Sequence, residues 1–164
     1  MQSLQLSYNQ LNLRLKLCFA YCSLFPRGCE LDKDGLLSTW IALGYIEARN
    51  ETQSLEDAGE EYVLNLMNCG LFQNAKKDFG CITNFRMHDF IYDLAVQVAG
   101  SKYKRMYFGS TERYHELDER VHHASFSGKV LSISGNLPHL LHKNEEKHSH
   151  LSSAICVKLI VKCN

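Results

Sequence analysis

Residues 71–95 read LFQNAKKDFGCITNFRMHDFIYDLA and contain the pattern that decides the fold. Two short apolar runs, 71–73 and 82–87, flank the polar stretch 74–78, and this arrangement is typical of a β-hairpin with a polar turn. The residues that follow predict a helix that starts at His88 and Asp89 and ends at Gly100. Its predicted buried face consists of Phe90, Ile91, Leu94, Ala95 and Val98.

The N-terminal segment 4–24 carries two periodicities at once. Alternating leucines from Leu11 to Leu17 would suit a strand, but a helical spacing of apolar residues extends further. We therefore predict a helix, and Phe25-Pro26 ends it because the residue before proline is pushed out of the helical region. The helical face consists of Leu11, Leu15, Cys18, Phe19 and Cys22.

Two more helices are predicted before the hairpin. Asp32 is a suitable cap for the second, and Gly44 is a suitable left-handed stop. Ser54 caps the third, which closes at Cys69-Gly70 after a polar loop at 47–53. The apolar positions that recur at helical spacing are Leu36, Leu37, Trp40 and Ile41 in the second helix, and Leu55, Ala58, Tyr62, Leu66 and Met67 in the third. Trp40 and Phe19 are predicted to be core residues.

The order of helix, helix, helix, hairpin and helix predicts a winged-helix arrangement with the hairpin as the wing. The fold class is thus mainly α with a small β-hairpin. We assign 1–100 to the winged-helix subdomain, 101–120 to a linker and 121–164 to an incomplete leucine-rich-repeat-like segment. The stretch 130–137 (VLSISGNL) suggests one repeat strand and turn, and a single such unit cannot bury its own apolar face.

Charge and composition exclude several classes of protein. Apolar residues make up 45% of the 164 residues, and 18 basic residues balance 18 acidic ones. The predicted third helix is acidic, and the wing offers only Lys76 and Lys77, so we predict no direct DNA binding. No apolar run has the length of a membrane span, and no secretory signal is visible, so the expected location is the cytoplasm.

The seven cysteines form no recognisable disulfide framework. Cys18 and Cys22 lie four residues apart within an apolar run, so a helix would place both on one face. Buried thiols in a reducing compartment are favoured over metal ligands. The histidines at 139, 142, 148 and 150 match no metal-site spacing well, and we predict no metal site.

Four segments resemble plant intracellular immune receptors, the nucleotide-binding, leucine-rich-repeat resistance proteins of the coiled-coil class. The first resembles the motif that opens their second ARC subdomain, and the second resembles the segment that follows it. The third resembles the Met-His-Asp motif with its helix, and the fourth the first strand of the repeat domain. In order, these segments are 18–26 (CFAYCSLFP), 37–46 (LSTWIALGYI), 86–95 (RMHDFIYDLA) and 121–126 (VHHASF).

The resemblance implies a role for His88. In this family the histidine of the motif contacts the β-phosphate of ADP and helps to lock the resting state, so His88 is the predicted cofactor-binding residue. A helix start favours an anion, and an imidazole can donate to a phosphate oxygen. Without the resemblance, a histidine before a helix is more often a cap or a surface residue. Asp89 is predicted to cap the helix, and no catalytic residue is predicted.

The chain also departs from the family pattern. Arg27-Gly28 follows Phe25-Pro26 where the family usually has an acidic residue, and no G-x-x-x-x-G-K-[ST] phosphate loop occurs. We therefore expect a piece of such a receptor, with ADP or ATP bound in the intact receptor and neither bound by this chain alone.

The resulting prediction is a regulatory signalling module and not an enzyme. Its expected partners are the nucleotide-binding and leucine-rich-repeat domains of the same receptor, and other receptor chains. One alternative is a truncated interaction protein that associates with full-length receptors. A nucleotide hydrolase is a second alternative, and the missing phosphate loop argues against it.

Overall fold

The computed structural model describes residues 2–107, 122–127 and 156–159. They divide into two compact units, one reaching to Gly100 and one starting at Ser101. The helices described in the first unit are α1 (Gln2–Gln10), α2 (Leu13–Tyr21), α3 (Lys33–Ala42), α4 (Leu55–Asn68) and α5 (Asp89–Ala99). Its strands are β1 (Glu30–Asp32), β2 (Gln73–Asp78) and β3 (Cys81–Arg86).

The first unit has the predicted winged-helix topology. Helix α2, strand β1 and helices α3 and α4 precede the β2–β3 hairpin, and α5 follows it. The three strands form one antiparallel sheet in the order β1-β3-β2. The prediction of a mainly helical fold with a wing is confirmed.

The prediction of one helix over 4–24 is wrong, because the chain breaks at Leu11 and Asn12. Asn12 is extended, and its side-chain oxygen accepts a 2.8 Å hydrogen bond from the Leu15 amide, which starts α2 afresh. The predicted end is confirmed: a 3₁₀ turn (Cys22–Leu24) leads into extended Phe25. The predicted face is buried at all five positions, Leu11, Leu15, Cys18, Phe19 and Cys22.

The capping predictions for α3 and α4 are confirmed. The carboxylate of Asp32 and the hydroxyl of Ser54 each accept a hydrogen bond from the amide three residues on, at 2.8 and 3.0 Å. Gly44 follows α3 with a φ of 67°. Trp40 is fully buried, as is Phe19 of α2, so both are core residues as predicted.

The hairpin forms, but its turn lies elsewhere than predicted. The stretch 74–78 belongs to strand β2, whose six residues are all exposed. Their polar character reflects this exposure and does not mark a turn. A β-bulge interrupts the pairing of β2 with β3. The turn is Phe79-Gly80, where both residues have positive φ.

Strand β1 was not predicted, because three residues are too few to show an alternating pattern. Leu31 pairs with Phe85 of β3 in the antiparallel register, and both side chains are buried. At the exposed edge, Glu30 forms ion pairs with Lys76 at 2.7 Å and with Arg86 at 3.3 Å. The strand thus ties the hairpin to the segment that precedes α3.

Replacing Phe79 by asparagine is expected to raise the free energy of unfolding by about 0.5–1 kcal/mol. A two-residue turn with positive φ at both positions favours Asn-Gly, and the Phe79 ring is fully exposed and so loses no packing. Urea unfolding of the full chain measures the difference. Equal or lower stability of the variant would contradict this explanation of the turn.

In the second unit, the described strands are β4 (Tyr103–Tyr107), β5 (His123–Ser127) and β6 (Cys156–Leu159). They pair in parallel in the order β4-β5-β6. Strand β4 lies within the stretch 101–120 that was assigned to a linker; its Tyr103 pairs with His123 in register, and their rings stack 5.0 Å apart. The division into domains stays a prediction. The repeat-like stretch 130–137, like the histidines from 139 to 150, lies outside the described residues.

Candidate functional site at the start of helix α5

Two residues, Met87 and His88, join strand β3 of the wing to helix α5. Strand β3 ends at Arg86, and Met87 is buried, whereas His88 is extended and exposed. Ile91, one turn into the helix, is buried. Because Met87 before it and Ile91 after it are both buried, His88 is held at the surface at the helix N-terminus.

His88 is the N-cap of α5. Its Nδ1 accepts a hydrogen bond from the Phe90 amide at 3.5 Å, and its backbone carbonyl accepts from the Ile91 and Tyr92 amides, both at 2.9 Å. The imidazole also stacks on the Phe90 ring, with the centroids 5.5 Å apart. A neutral imidazole that accepts at Nδ1 carries its proton on Nε2, which is then a donor.

Two expectations for the start of α5 are wrong. Asp89 is not the cap but the first helical residue, where its carboxylate lies in the turn that favours negative charge. Phe90 is 59% exposed rather than buried. The buried stripe of this part of α5 is formed by Ile91, Tyr92, Leu94 and Ala95, and Phe90 lies outside it.

Arg27 contacts the first turns of α5 at three positions. Its guanidinium forms a two-pronged ion pair with Asp93, of which one contact, Nη1 to Oδ2, is 3.3 Å. Nη1 also donates to the Asp89 carbonyl at 3.4 Å, and the guanidinium carbon lies 5.1 Å from the centre of the Tyr92 ring. The hydrogen bond to Asp93 raises the pKa of Arg27.

Sequence reasoning noted Arg27 as a departure from the family but missed this cluster. The partners lie 62 to 66 residues further along the chain, so no local pattern links them. Tyr92 contributes a second tie, since its hydroxyl donates to the Ser23 carbonyl at 3.3 Å. Both ties join α5 to the segment that follows α2.

The acidic helix α4 and the wing carry little free positive charge. Glu60 pairs with Lys33 of α3, and Glu61 pairs with Arg49 at 3.0 Å. Glu56 and Asp57 remain exposed in the first turn of α4. In the wing, Lys76 pairs with Glu30, as described above. These charges are consistent with the expectation of no direct DNA binding, which stays a prediction.

The thiols of Cys18, Cys22 and Cys29 are buried, as predicted, and none of them forms a disulfide with a described cysteine. Burial raises the pKa of both Cys18 and Cys22 above the ordinary value of 9.0. Among the described residues, no group of His, Cys, Asp or Glu side chains is arranged to hold a metal ion.

No described helix combines the length and the apolar character needed to cross a membrane.

Comparison with known proteins decides which winged helix this is. Residues 24–95 match the family model of the winged helix domain of disease resistance proteins. This part of the chain is therefore a winged helix domain of the kind found in disease resistance proteins. The matched region includes the wing and the part of α5 that ends at Ala95, so the cap at His88 and the Arg27 contacts lie inside it.

Plant relatives support the same family. The chain is 42% identical to disease resistance protein RGA2 of Solanum bulbocastanum over 96 residues, which cover 58% of this chain and 10% of RGA2. It is 39% identical to a putative disease resistance RPP13-like protein 1 of Arabidopsis thaliana over 97 residues, 59% of this chain and 9% of that protein. The matched part thus spans about a tenth of the length of these relatives.

Proposed function

We propose that this winged helix domain is a non-catalytic regulatory module of an intracellular plant immune receptor. In this proposal it latches the ADP-bound resting state through His88 and couples that state to the repeat domain. The observation that carries the proposal is the placement of His88, exposed at the N-terminus of α5 with Nδ1 engaged by the Phe90 amide. Nε2–H is then available to donate to an oxygen of a diphosphate.

The physical chemistry of the α5 N-terminus supports an anionic ligand. The free amides and the dipole of a helix N-terminus favour negative charge, and the hydrogen bond at Nδ1 sets the tautomer of the ring. The remaining walls of a nucleotide pocket would come from the nucleotide-binding domain of the same receptor. For this chain alone we accordingly expect negligible affinity for ADP or ATP.

The proposed latch is a population shift. ADP contacts that exist only in the closed arrangement stabilise it, and the exchange of ADP for ATP removes that preference and releases the winged helix domain for signalling. The domain acts in this scheme with the nucleotide-binding and leucine-rich-repeat domains of its receptor, in the cytoplasm. Its contribution is a hydrogen-bond donor at a fixed position, so no catalytic group is required.

His88 variants test this proposal in a complete receptor, obtained by exchanging residues 24–95 into RGA2 of Solanum bulbocastanum. We expect His88→Val to give signalling without a pathogen and to release bound ADP at least tenfold faster, because valine cannot donate to a phosphate. A tenfold change corresponds to about 1.4 kcal/mol, close to the lower end of the roughly 1.5–3 kcal/mol of a hydrogen bond to a charged group. Radiolabelled ADP release and basal cell-death signalling are the two measurements.

A cap-preserving pair separates ADP contact from helix stability. Aspartate and asparagine cap helices equally well, but aspartate repels a phosphate whereas the asparagine amide can still donate to it. His88→Asp should therefore release ADP faster than His88→Asn at equal thermal stability. If His88→Val and His88→Asp both retain ADP like the parent receptor, the latch proposal is wrong.

A further inference from the structure

We propose that Arg27 is the positioning residue for His88: by fastening the first turns of α5 to the segment after α2, it fixes where the imidazole is held. The link to ADP rests on the proposed function above. The positioning itself is a property of the chain and is testable without nucleotide.

The first argument is the geometry of the Arg27 contacts. The guanidinium reaches the Asp89 carbonyl, the Tyr92 ring and the Asp93 carboxylate, which lie one, four and five residues after His88. A planar guanidinium suits this combination because it can pair with a carboxylate through two N–H groups while its face lies over an aromatic ring. Because Arg27 contacts three different residues of α5, it restrains both the rotation and the fraying of this end of the helix.

The second argument is that His88 depends on the first turn of α5 for its position. The amides of Phe90, Ile91 and Tyr92 all donate to His88, the first to its ring and the other two to its carbonyl. The contact of the ring is long, at 3.5 Å, and its stacking partner Phe90 is exposed. A turn that frays releases these three hydrogen bonds and with them the direction of Nε2.

The third argument concerns the two sides of the turn. On the core side, the buried residues Met87 and Ile91 hold the backbone. On the solvent side, Arg27 supplies a side chain from outside α5 that bridges two of its residues by hydrogen bonds. Because Arg27 and Asp93 are each nearly half exposed, their pair should have little effect on global stability but a local effect on fraying.

Amide hydrogen exchange of the full chain, read by NMR, tests the positioning. In Arg27→Ala, we expect the Ile91 and Tyr92 amides to exchange about three- to fivefold faster, while the Ala99 amide at the far end of α5 and the melting temperature change little. Asp93→Ala should give the same pattern. The charge-swapped double variant Arg27→Asp/Asp93→Arg should restore part of the protection, which general destabilisation would not do.

Arg14→Ala is the matched control. Arg14 is also partly exposed, pairs with Glu47 at 2.6 Å and donates to the Gly44 carbonyl at 2.7 Å, but it makes these contacts away from α5. It should leave the Ile91 and Tyr92 amides as they are in the parent. Unchanged exchange in Arg27→Ala, or equal acceleration throughout α5, overturns the positioning role.

The RGA2 receptor that carries residues 24–95 of this chain distinguishes a failure of this inference from a failure of the proposed function. Arg27→Ala should release ADP faster than the parent but less fast than His88→Asp. If amide exchange changes as expected while neither variant alters ADP release, Arg27 positions His88 and the nucleotide latch is wrong. If His88→Asp releases ADP but Arg27→Ala leaves the α5 amides protected, the latch is supported and the positioning role is wrong.

Discussion

Replacing Phe85 by alanine is expected to lower the free energy of unfolding by about 3–5 kcal/mol, a large part of the roughly 5–15 kcal/mol typical of a domain. Phe85 is fully buried, stacks on Phe72 with the ring centres 4.4 Å apart and pairs with Leu31 across the sheet. The substitution removes a buried ring from strand β3, which pairs with β1 and β2 and lies against helix α3. Urea unfolding followed by circular dichroism measures the loss.

Phe79→Ala is the matched control for this substitution. The same atoms are removed from the same hairpin, but the Phe79 ring is fully exposed at the turn. We expect a change within about 0.5 kcal/mol, as for surface substitutions in general. Similar losses from Phe79→Ala and Phe85→Ala would show that the hairpin is not packed as described.

Raising the pH from 8 to 10.5 under reducing conditions is expected to lower the free energy of unfolding by up to about 4 kcal/mol through Cys18 and Cys22. Burial holds the pKa of both thiols above the ordinary value of 9.0 in the folded chain. Their contribution is therefore complete below pH 9 and falls as pH rises, because the unfolded chain loses both protons and the folded chain keeps them. The slope is about 1.4 kcal/mol per pH unit for each thiol.

The double variant Cys18→Ala/Cys22→Ala provides the comparison. It should lose less stability than the parent between pH 8 and 10.5, and the difference between the two slopes isolates the thiols from the tyrosines that also titrate there. Cys81→Ala removes an exposed thiol and should keep the slope of the parent. A parent and a double variant with the same pH dependence would contradict the buried-thiol explanation.

Local signals predicted most of the helical framework. Asp32, Ser54 and Gly44 act within one turn of the chain, so their roles as caps and stops could be inferred without knowing the fold. Asn12 carries the same kind of signal, but the apolar spacing through Leu11 and Leu15 concealed it. The wing was placed by its apolar flanks, whereas its turn was misplaced because an exposed strand and a polar loop have the same composition.

The candidate site was predicted only in part. The position of His88 at a helix start follows from the sequence, but its role as the cap instead of Asp89 depends on the backbone geometry of one residue. Phe90 is exposed because Ile91 and Tyr92 are the buried residues of the first turn of α5, and the packing of α5 against α2 determines which residues are buried. The helical spacing of apolar residues alone allows either Phe90 or Tyr92 to be buried.

The sequence by itself determined helices α3, α4 and α5, the caps of α3 and α4 and the placement of a histidine before α5, because these depend on interactions between residues a few positions apart. Only the tertiary structure decided that β1 joins the hairpin and that Arg27 meets Asp93, 66 residues further on. Such contacts form when packing brings distant segments together, and no local sequence pattern around Arg27 or Asp93 identifies the other residue as its partner. The surroundings of His88 are therefore a product of the fold, although His88 itself is visible in the sequence.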